Sequence, residues 1–317
     1  MSSSRGVLVV AFGADRFIDQ AGDLAATIRR WSPQMAIALV TDGASGEVAG
    51  FDRVARIRTP DSADCRIKLD MDVLSPFDET LYVDADSFAV GVVEPIFDAC
   101  ADSDVAVFGH QIASGTWYGD VTRMRRRAGS ASIPKFNGGC IYFRRTKRTA
   151  DVFAFAREVA EEYADLELTG FGGGIADEPL LSIALARHGI AATDITATTM
   201  ATPIGITGPM RVDVLSGRCC FAKQHRIVEP VLVHFAADFG AETGLCGVFY
   251  RRERFKLRAR LAGWPVWLAR TCAGVRFGPR CALFNGRLRV TGRLPCDPVD
   301  AVGIAPRTAE SAMGVQT

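Results

Sequence analysis

The first 43 residues alternate between strand and helix patterns, and this alternation restricts the fold more than any other feature of the sequence. Residues 7–12 form a continuous apolar run that ends at Gly13, as is typical of a strand covered on both faces. Residues 19–31 carry apolar side chains at helical spacing, and residues 35–40 form a second apolar run. A strand, a helix and a strand in this order predict a βαβ unit, and therefore a parallel or mixed sheet with helices on its faces.

The rest of the chain continues with short strands and longer helices. Further strands are predicted at residues 54–57, 81–83, 105–108, 140–143 and 231–235, and helices at residues 151–163 and 178–188. Residues 109–135 are rich in glycine and arginine, and we expect them to be irregular. With 317 residues, 48% of them hydrophobic, the chain is long enough for one large α/β domain over residues 1–245, with a mostly parallel sheet flanked by helices.

The net charge of +1 is the sum of two unequal parts of the chain. Residues 1–245 hold 24 basic and 32 acidic side chains, a net of −8, whereas residues 246–317 hold 13 basic and 4 acidic side chains, a net of +9. We therefore predict a basic C-terminal extension over residues 246–299, partly helical, and a disordered tail over residues 300–317. Because no nucleic-acid-binding module is recognisable in the sequence, we expect no nucleic-acid partner.

Residues 249–270 of the extension interleave basic and aromatic side chains. One interpretation is a basic amphipathic helix that lies on an anionic membrane surface. The other is a helix that packs its apolar side on the larger domain and leaves its arginines in water. The sequence has no apolar run of about 18 residues, and its N-terminal run is too short for a signal peptide. We expect a cytoplasmic protein, peripheral on the inner face of the membrane under the first interpretation.

Two carboxylates, Asp84 and Asp86, stand two residues apart at the end of the predicted strand at 81–83. Side chains at positions i and i+2 of an extended chain point the same way, and open α/β sheets bind ligands at the carboxyl ends of their strands. Like charges held this close favour a bound cation, and carboxylate oxygens suit a hard divalent ion. The pattern predicts a divalent-metal site at this edge of the sheet, with an exposed turn as the alternative.

The segment Thr80–Ser87 (TLYVDADS) resembles the D-x-D motif of GT-A glycosyltransferases, most closely that of glycosyltransferase family 8. Further segments within residues 7–239 resemble motifs of that family in the same order: Lys68, Phe136–Ile141 (FNGGCI), Gly173–Leu181 (GGIADEPLL) and Val233–Phe235 (VHF). The resemblance implies a GT-A, Rossmann-like fold. It also implies transfer of a sugar from a nucleotide diphosphate donor, usually UDP-linked, to an acceptor hydroxyl, with manganese and with retention of configuration.

The resemblance assigns roles to particular residues. Asp84, Asp86 and His234 are the implied metal ligands, and one imidazole nitrogen beside two carboxylates suits Mn²⁺ somewhat better than Mg²⁺. Asp177 and Glu178 are the catalytic candidates, at the sugar and the acceptor. The implied donor-binding residues are Ala11, Phe12, Gly13, Phe17, Asp42, Lys68, Asp84, Ala85, Asp86, Asn137, Gly138 and Gly139.

Several of these residues also have an ordinary structural interpretation. Phe17 is either an aromatic that stacks on the nucleotide base or a buried side chain of the first helical turn. Asn137 beside two glycines either approaches a ligand or forms a turn before a strand. Asp177 opens a predicted helix, where a carboxylate is a good N-cap, and this role is compatible with a catalytic one.

The sequence departs from the family pattern in two places. Glu178 stands where the family commonly has Gln, and the residues from Ala236 onward replace a Gly-Lys-Pro-Trp segment whose Lys binds phosphate. Arg251 and Arg252 are candidate substitutes for that Lys. The acceptor is a glycan, a lipid-linked molecule or a small molecule, which we expect against residues 109–135. In that segment Trp117 and Tyr118 are candidates to stack on a sugar, and the arginines are candidates to bind an anionic acceptor.

Two other functions remain open from the sequence. One is a non-catalytic nucleotide-sugar-binding or scaffold protein with a decayed site. The other is a sugar-nucleotide pyrophosphorylase on a similar scaffold, which is less favoured because it needs a Gly-rich basic loop after the first strand. The residues that follow that strand, Gly13–Arg16, do not form such a loop.

Overall fold

The computed structural model describes residues 4–43, 49–57, 65–170, 174–195, 198–223, 226–236 and 245–291. The strands are β1 Arg5–Ala11, β2 Ala36–Thr41, β3 Arg53–Arg56, β4 Glu79–Val83, β5 Ser87–Ala89, β6 Val105–Ile112, β7 Ile133–Arg144, β8 Met200–Ala201, β9 Arg211–Asp213, β10 Arg218–Lys223, β11 Arg226–Val228 and β12 Leu232–His234. The helices are α1 Asp15–Trp31, α2 Met71–Leu74, α3 Glu94–Ala99, α4 Val121–Ala128, α5 Lys147–Glu161, α6 Asp177–Arg187, α7 Leu245–Leu261 and α8 Val266–Thr291, with a 3-10 helix at Cys65–Asp70.

The central sheet has six strands in the order β3-β2-β1-β4-β7-β6. Strands β1 to β4 run parallel, and β7 is antiparallel to both of its neighbours. The strand order reverses between β1 and β4, since the chain moves outward from β1 through β2 to β3 and then returns to the other side of β1. In open α/β sheets the carboxyl ends of the strands at such a point form a ligand-binding crevice. The predicted mixed, mostly parallel sheet is confirmed.

The two faces of the sheet pack in two apolar clusters. Val7 and Val9 of β1 lie in the cluster that includes Leu24 and Ile28 of α1. Leu8, which points to the other face, lies in the cluster formed largely by α5 and α6. This alternation explains the continuous apolar run of β1, because both faces of a central strand need apolar side chains.

Residues 109–135 are more regular than the sequence predicts. β6 extends to Ile112, α4 covers Val121–Ala128, and β7 begins at Ile133. Asp120 caps α4 by accepting a hydrogen bond from Thr122 N, and Gly129 ends it with a positive φ of 66°. The prediction fails here because only three residues of α4 are buried and the other five are basic or polar, so the apolar periodicity is weak.

The basic side chains of α7 make ion pairs with the acidic part of the chain. Arg254 and Arg258 both bind the carboxylate of Asp23 in α1, at 2.6 and 2.9 Å. Tyr250 stacks on Phe88, with ring centroids 4.8 Å apart. These contacts favour the packed-helix interpretation of residues 249–261 over a helix that lies free on a membrane. In the part of the chain that the structure describes, no helix is long and apolar enough to cross a membrane. Residues 300–317 lie outside the described residues.

Candidate functional site

The two carboxylates of the D-x-D motif lie at the carboxyl end of β4, beside the reversal point of the sheet. β4 ends at Val83, and a turn closed by Ser87 N donating to Asp84 O (3.1 Å) follows it. Asp84 and Asp86 are both partly buried, and Ala85 between them is buried. The prediction that both acids face one crevice is supported by their shared position against His234, described next.

Pairing between β5 and β12 brings His234 to the carboxylates across about 150 residues of sequence. His234 is the register partner of Ser87, and Phe235 N donates to Asp86 O. His234 Nε2 lies 3.0 Å from Asp86 Oδ1 and 3.5 Å from Asp84 Oδ2. One ligand atom from each of these three residues lies within 4.8 Å of the others. Two carboxylate oxygens and one imidazole nitrogen so arranged can hold a divalent cation.

A hydrogen bond to Asn137 fixes one of the two ring nitrogens of His234, Nδ1, as a donor. Asn137 Oδ1 accepts from Gly139 N at 3.1 Å, which fixes the oxygen side of that amide. His234 Nδ1 lies 2.7 Å from the same oxygen and must therefore donate to it. Nε2 then faces the two carboxylates, where either a proton or a metal ion satisfies the three groups. Hydrogen-bond acceptors of this kind set the tautomer of metal-binding histidines.

The pKa of His234 responds to the same neighbours. Burial by itself lowers the pKa, but the carboxylates of Asp86 and Asp84 outweigh it and hold the pKa of His234 above its ordinary value. A proton on Nε2 and a divalent cation therefore compete for one position. We expect metal affinity to fall as the pH drops through the raised pKa of His234.

Substitution of Asn137 tests whether the amide orients the histidine. In Asn137→Ala the Nδ1 donor loses its acceptor, so the ring is free to rotate and to change tautomer. We expect Mn²⁺ affinity, measured by isothermal titration calorimetry, to fall about 10- to 100-fold. Asn137→Asp, which keeps an acceptor at the same place, should retain more of the affinity than Asn137→Ala. Equal affinity in the alanine variant and the wild type would contradict the assigned role.

Lys68 lies between the carboxylates of Asp84 and Asp177. Its Nζ is 2.8 Å from Asp84 Oδ1 and 3.6 Å from Asp177 Oδ2. Burial alone would lower the pKa of Lys68, but the charges of Asp177 and Asp84 outweigh it and hold the pKa well above its ordinary value. Lys68 is therefore a fixed positive charge that links the D-x-D motif to α6. The predicted role of Lys68 in donor binding stays a prediction.

Asp177 and Glu178 open α6 and face the glycines of β7. Ala176 is the N-cap and Asp177 the first helical residue, so the interpretation of Asp177 as an N-cap does not hold. Asp177 is buried, and among the described residues its Oδ2 has no hydrogen-bond partner. Glu178 Oε1 accepts from Gly138 N at 2.7 Å. Burial raises the pKa of Asp177, and burial with the neighbouring charge of Asp177 raises the pKa of Glu178 to about 7.

The glycines at 138 and 139 allow these groups to approach the strand. A Cβ at Gly138 would lie 2.8 Å from Asp177 Oδ2 and 3.1 Å from Glu178 Cγ. A Cβ at Gly139 would lie 2.3 Å from His234 Nδ1. The sequence predicts that N-G-G begins a strand, whereas β7 begins four residues before Asn137. The motif therefore lies within a strand whose backbone is lined by site residues.

The predicted nucleotide-binding residues lie at the ends of β1 and β2. Gly13 has a positive φ of 87°, and its N donates to Asp42 Oδ1 at 3.0 Å, so Asp42 ties the two strand ends together. Ala11 is buried at the end of β1, and Phe12 is partly buried. Phe17 is partly buried in the first turn of α1, where the guanidinium of Arg16 lies 4.8 Å from its ring centroid.

Three other sequence hypotheses do not match the contacts. Trp117 is 2% exposed in an apolar cluster and is not free to stack on a sugar. Arg127, in the arginine cluster of α4, binds Glu158 of α5 and Glu162, the residue that caps the end of α5. Arg252 binds Glu253 and Val212 O, and these contacts hold it away from Asp84 and Asp86. Gly173, at the start of the GGIADEPLL segment, lies outside the described residues.

Two tyrosines of the site make contacts that the sequence does not predict. Tyr82 donates a hydrogen bond to Asp84 Oδ1. It stands two residues before Asp84 on β4, so strand alternation could have placed it on the same side. Burial raises the pKa of Tyr118, helped by the Glu178 carboxylate that lies beside its side chain, and Tyr118 has a positive φ of 56°. Nothing in the sequence pattern indicates the left-handed backbone that aims Tyr118 toward α6.

The protein has the fold of GT-A glycosyltransferases. Its structure is similar to that of galactosyltransferase LgtC in complex with donor and acceptor sugar analogs, with a TM-score of 0.53 and 15% identity, covering 82% of this chain and 97% of that chain. An active-site Gln→Glu mutant of LgtC gives a TM-score of 0.53 at 14% identity, covering 84% of this chain and 99% of that chain.

More distant similarity extends to glycosyltransferase GlyE of Streptococcus pneumoniae TIGR4, with a TM-score of 0.44 and 13% identity, covering 62% of this chain and 46% of that chain. The sequence itself matches no protein-family model and no curated protein. Because fold alone does not determine function, the activity has to be argued from the site.

Proposed function

We propose that this protein is a metal-dependent glycosyltransferase that moves a sugar from a nucleotide diphosphate sugar, expected to be UDP-linked, to an acceptor hydroxyl with retention of configuration. The observation that carries the proposal is the cluster of Asp84, Asp86 and His234 at the carboxyl end of β4. The cluster lies at the reversal point of the central sheet. The structure of this chain is similar to that of a galactosyltransferase, of which it covers 97%. The same cluster in a protein of unrelated fold would support only metal binding.

The donor set fits a divalent cation, with Mn²⁺ favoured over Mg²⁺ by the imidazole. When bound, such a cation supplies Lewis-acid stabilisation of the departing diphosphate. Asp84, Asp86 and His234 would hold the cation, and Asn137 holds Nδ1 of His234 so that Nε2 faces the two carboxylates. Tyr82 and Lys68 both contact the carboxylate of Asp84, so that carboxylate is held in position before a ligand arrives.

Lys68 also contributes to the charge of the site. The family resemblance leads to the expectation of a second lysine after His234, and the sequence has none there. Lys68 is a partly buried cation within 4 Å of both Asp84 and Asp177. We infer that it supports the donor phosphates through the carboxylate it holds, and that Arg252 does not take the place of the missing lysine.

Glu178 and Asp177 lie beside the backbone of Gly138, and we infer that they face the donor sugar. A carboxylate near a sugar carbon that develops positive charge lowers the energy of the transition state. A carboxyl group with a pKa of about 7 is ionised above that pH and neutral below it. We therefore propose that the ionised form of Glu178 supports transfer.

This role predicts a pH profile. At saturating Mn²⁺, turnover of the donor should decline as the pH falls from about 8 to 6 and Glu178 takes up a proton. In Glu178→Gln the step near pH 7 should disappear, and the rate above pH 7 should be about 10- to 100-fold lower than in the wild type. Initial rates of nucleotide diphosphate release measure both effects. A glutamine variant that keeps the step near pH 7 would assign it to another group.

One structural observation weighs against a pyrophosphorylase. β1 ends at Ala11 and α1 begins at Asp15, so only three residues connect them. A triphosphate-binding loop of the Gly-rich, basic kind does not fit in that connection.

Two measurements distinguish a non-catalytic binding protein from an enzyme. The first is the thermal shift of the protein with nucleotides and nucleotide sugars, with and without Mn²⁺, and the second is hydrolysis of the donors that bind. Binding without hydrolysis would support the non-catalytic alternative.

A further inference from the structure

A second pocket lies between β9, β10, α7 and α8, and none of its lining residues belongs to the donor site. Its volume is about 560 Å³, within the range of small-molecule sites. Four arginines line it, together with Asp213, Ser216 and Asn285: Arg211, Arg218, Arg252 and Arg270. Asp213 is its one acidic lining residue among the described residues.

The carboxylate of Asp213 is already committed to other groups. Lys256 Nζ lies 3.0 Å from its Oδ1, Arg270 Nη2 lies 2.9 Å from its Oδ2, and Leu215 N donates to Oδ1 at 3.1 Å. Lys256 Nζ also lies 2.6 Å from Glu253 Oε2, so Glu253 neutralises part of the charge of Lys256. Asp213 therefore has little capacity left for a further cation.

The strand register places two more arginines on the same face as Asp213. Arg211 stands two residues before Asp213 in β9, and Arg218 of β10 is the direct partner of Asp213. Positions i and i+2 of a strand and directly opposed residues share one face. Neither Arg211 nor Arg218 has an ion pair with another residue in the described part of the chain. Both guanidinium groups are exposed at the pocket.

The other two arginines are held in place. Arg252 Nη2 donates to Val212 O at 2.7 Å, and its Nε donates to Glu253 at 2.8 Å. Arg270 is held by Asp213. The pocket thus combines two fixed guanidinium groups with two unpaired ones, and its charge is positive. Planar guanidinium groups bind phosphate oxygens in a bidentate manner and are the common choice for such ligands.

We propose that this pocket is a binding site for a phosphate-bearing anion, separate from the donor site. Its ligand carries one or two phosphate groups that Arg211 and Arg218 contact, with Arg252 and Arg270 behind them. The phosphate belongs either to a soluble molecule or to a lipid headgroup. Trp267 is 67% exposed one turn before Arg270 on α8, which gives the apolar part of a lipid a place to lie.

The test uses the full-length protein in EDTA, so that a metal at the donor site cannot bind the probe. Inorganic pyrophosphate is titrated calorimetrically into wild type, Arg211→Gln, Arg218→Gln and Arg226→Gln. Each of the first two substitutions should weaken pyrophosphate binding about tenfold, as expected for loss of one charged hydrogen-bonding partner. Arg226 is an exposed arginine on β11 that does not line the pocket, so its variant should bind as wild type does.

A second arm identifies the source of the phosphate. The same proteins are sedimented with phosphatidylcholine vesicles with and without phosphatidylglycerol. Sedimentation that needs phosphatidylglycerol, is lost in Arg211→Gln and Arg218→Gln, and falls in Trp267→Ser supports a lipid headgroup. Pyrophosphate binding without sedimentation supports a soluble ligand. The proposal is overturned if neither probe binds, or if the pocket variants bind both probes as tightly as Arg226→Gln does. Because these assays need neither donor nor metal, their result is independent of glycosyl transfer.

Discussion

Asp84→Asn and Asp86→Asn should each lower donor turnover about 10³-fold at saturating metal, with little change in the fold. The substitution removes one charged oxygen ligand from the cluster and keeps the size of the side chain. Lewis-acid stabilisation of a leaving group is worth several kcal/mol, and about 4 kcal/mol corresponds to 10³ in rate. The loss should appear in the release of nucleotide diphosphate and, in parallel, in weaker Mn²⁺ binding by calorimetry.

The control for these variants is Asp151→Asn. Asp151 is a surface residue of α5 that pairs with Lys147 one turn earlier, and an exposed pair of this kind contributes little to stability. It should retain wild-type turnover and metal affinity. Turnover at the wild-type rate in either motif variant, with metal still required, would mean that the cation binds elsewhere.

Gly139→Ala should reduce Mn²⁺ affinity and donor turnover at least about 100-fold, although no ligand atom is removed. The added Cβ would lie 2.3 Å from His234 Nδ1 and 2.8 Å from its Cε1, distances that the ring or the strand must relieve by moving. Either movement breaks the contact between Asn137 and Nδ1 that fixes the ring. Losses of this size follow when the supporting contacts of metal ligands are removed.

Gly22→Ala provides the matched comparison for this substitution. A Cβ at Gly22, within α1, meets nothing within 4 Å. That variant should be as active as wild type and more stable by about 0.5–1 kcal/mol, since alanine is the better helix former. Circular dichroism separates a local effect of Gly139→Ala from unfolding. A folded Gly139→Ala protein with wild-type metal affinity would contradict the assigned position of His234.

The position of the D-x-D motif was predictable because it depends on local rules. A buried strand followed by Asp84 and Asp86 places two carboxylates at one edge of a parallel sheet, and the structure agrees. The place of His234 depends instead on β5 and β12, two strands of three residues each that pair over a long sequence separation. The sequence predicts β12 but gives no separate signal for β5, so the family resemblance was needed to connect His234 with the motif.

The charge pattern of the extension was visible in sequence, but its partners were not. Arginines that alternate with aromatic residues fit both a membrane-bound and a packed helix. The choice depends on Asp23, which is 4% exposed in α1 and binds Arg254 and Arg258. The apolar periodicity of α1 does not single out Asp23, because its partners Arg254 and Arg258 belong to α7, far along the sequence. The positive pocket that contains Arg211 and Arg218 could not be predicted from the sequence either, because four separate elements form it.

The most direct test of the proposed function is release of nucleotide diphosphate from UDP-sugars by the full-length protein. The protein is first treated with EDTA, and the rate is measured before and after addition of Mn²⁺. We predict no release in EDTA and recovery of release with Mn²⁺ in the wild type but not in Asp84→Asn. Release at the same rate in EDTA, or binding of UDP-sugars without release in the presence of Mn²⁺, would contradict a metal-dependent glycosyltransferase.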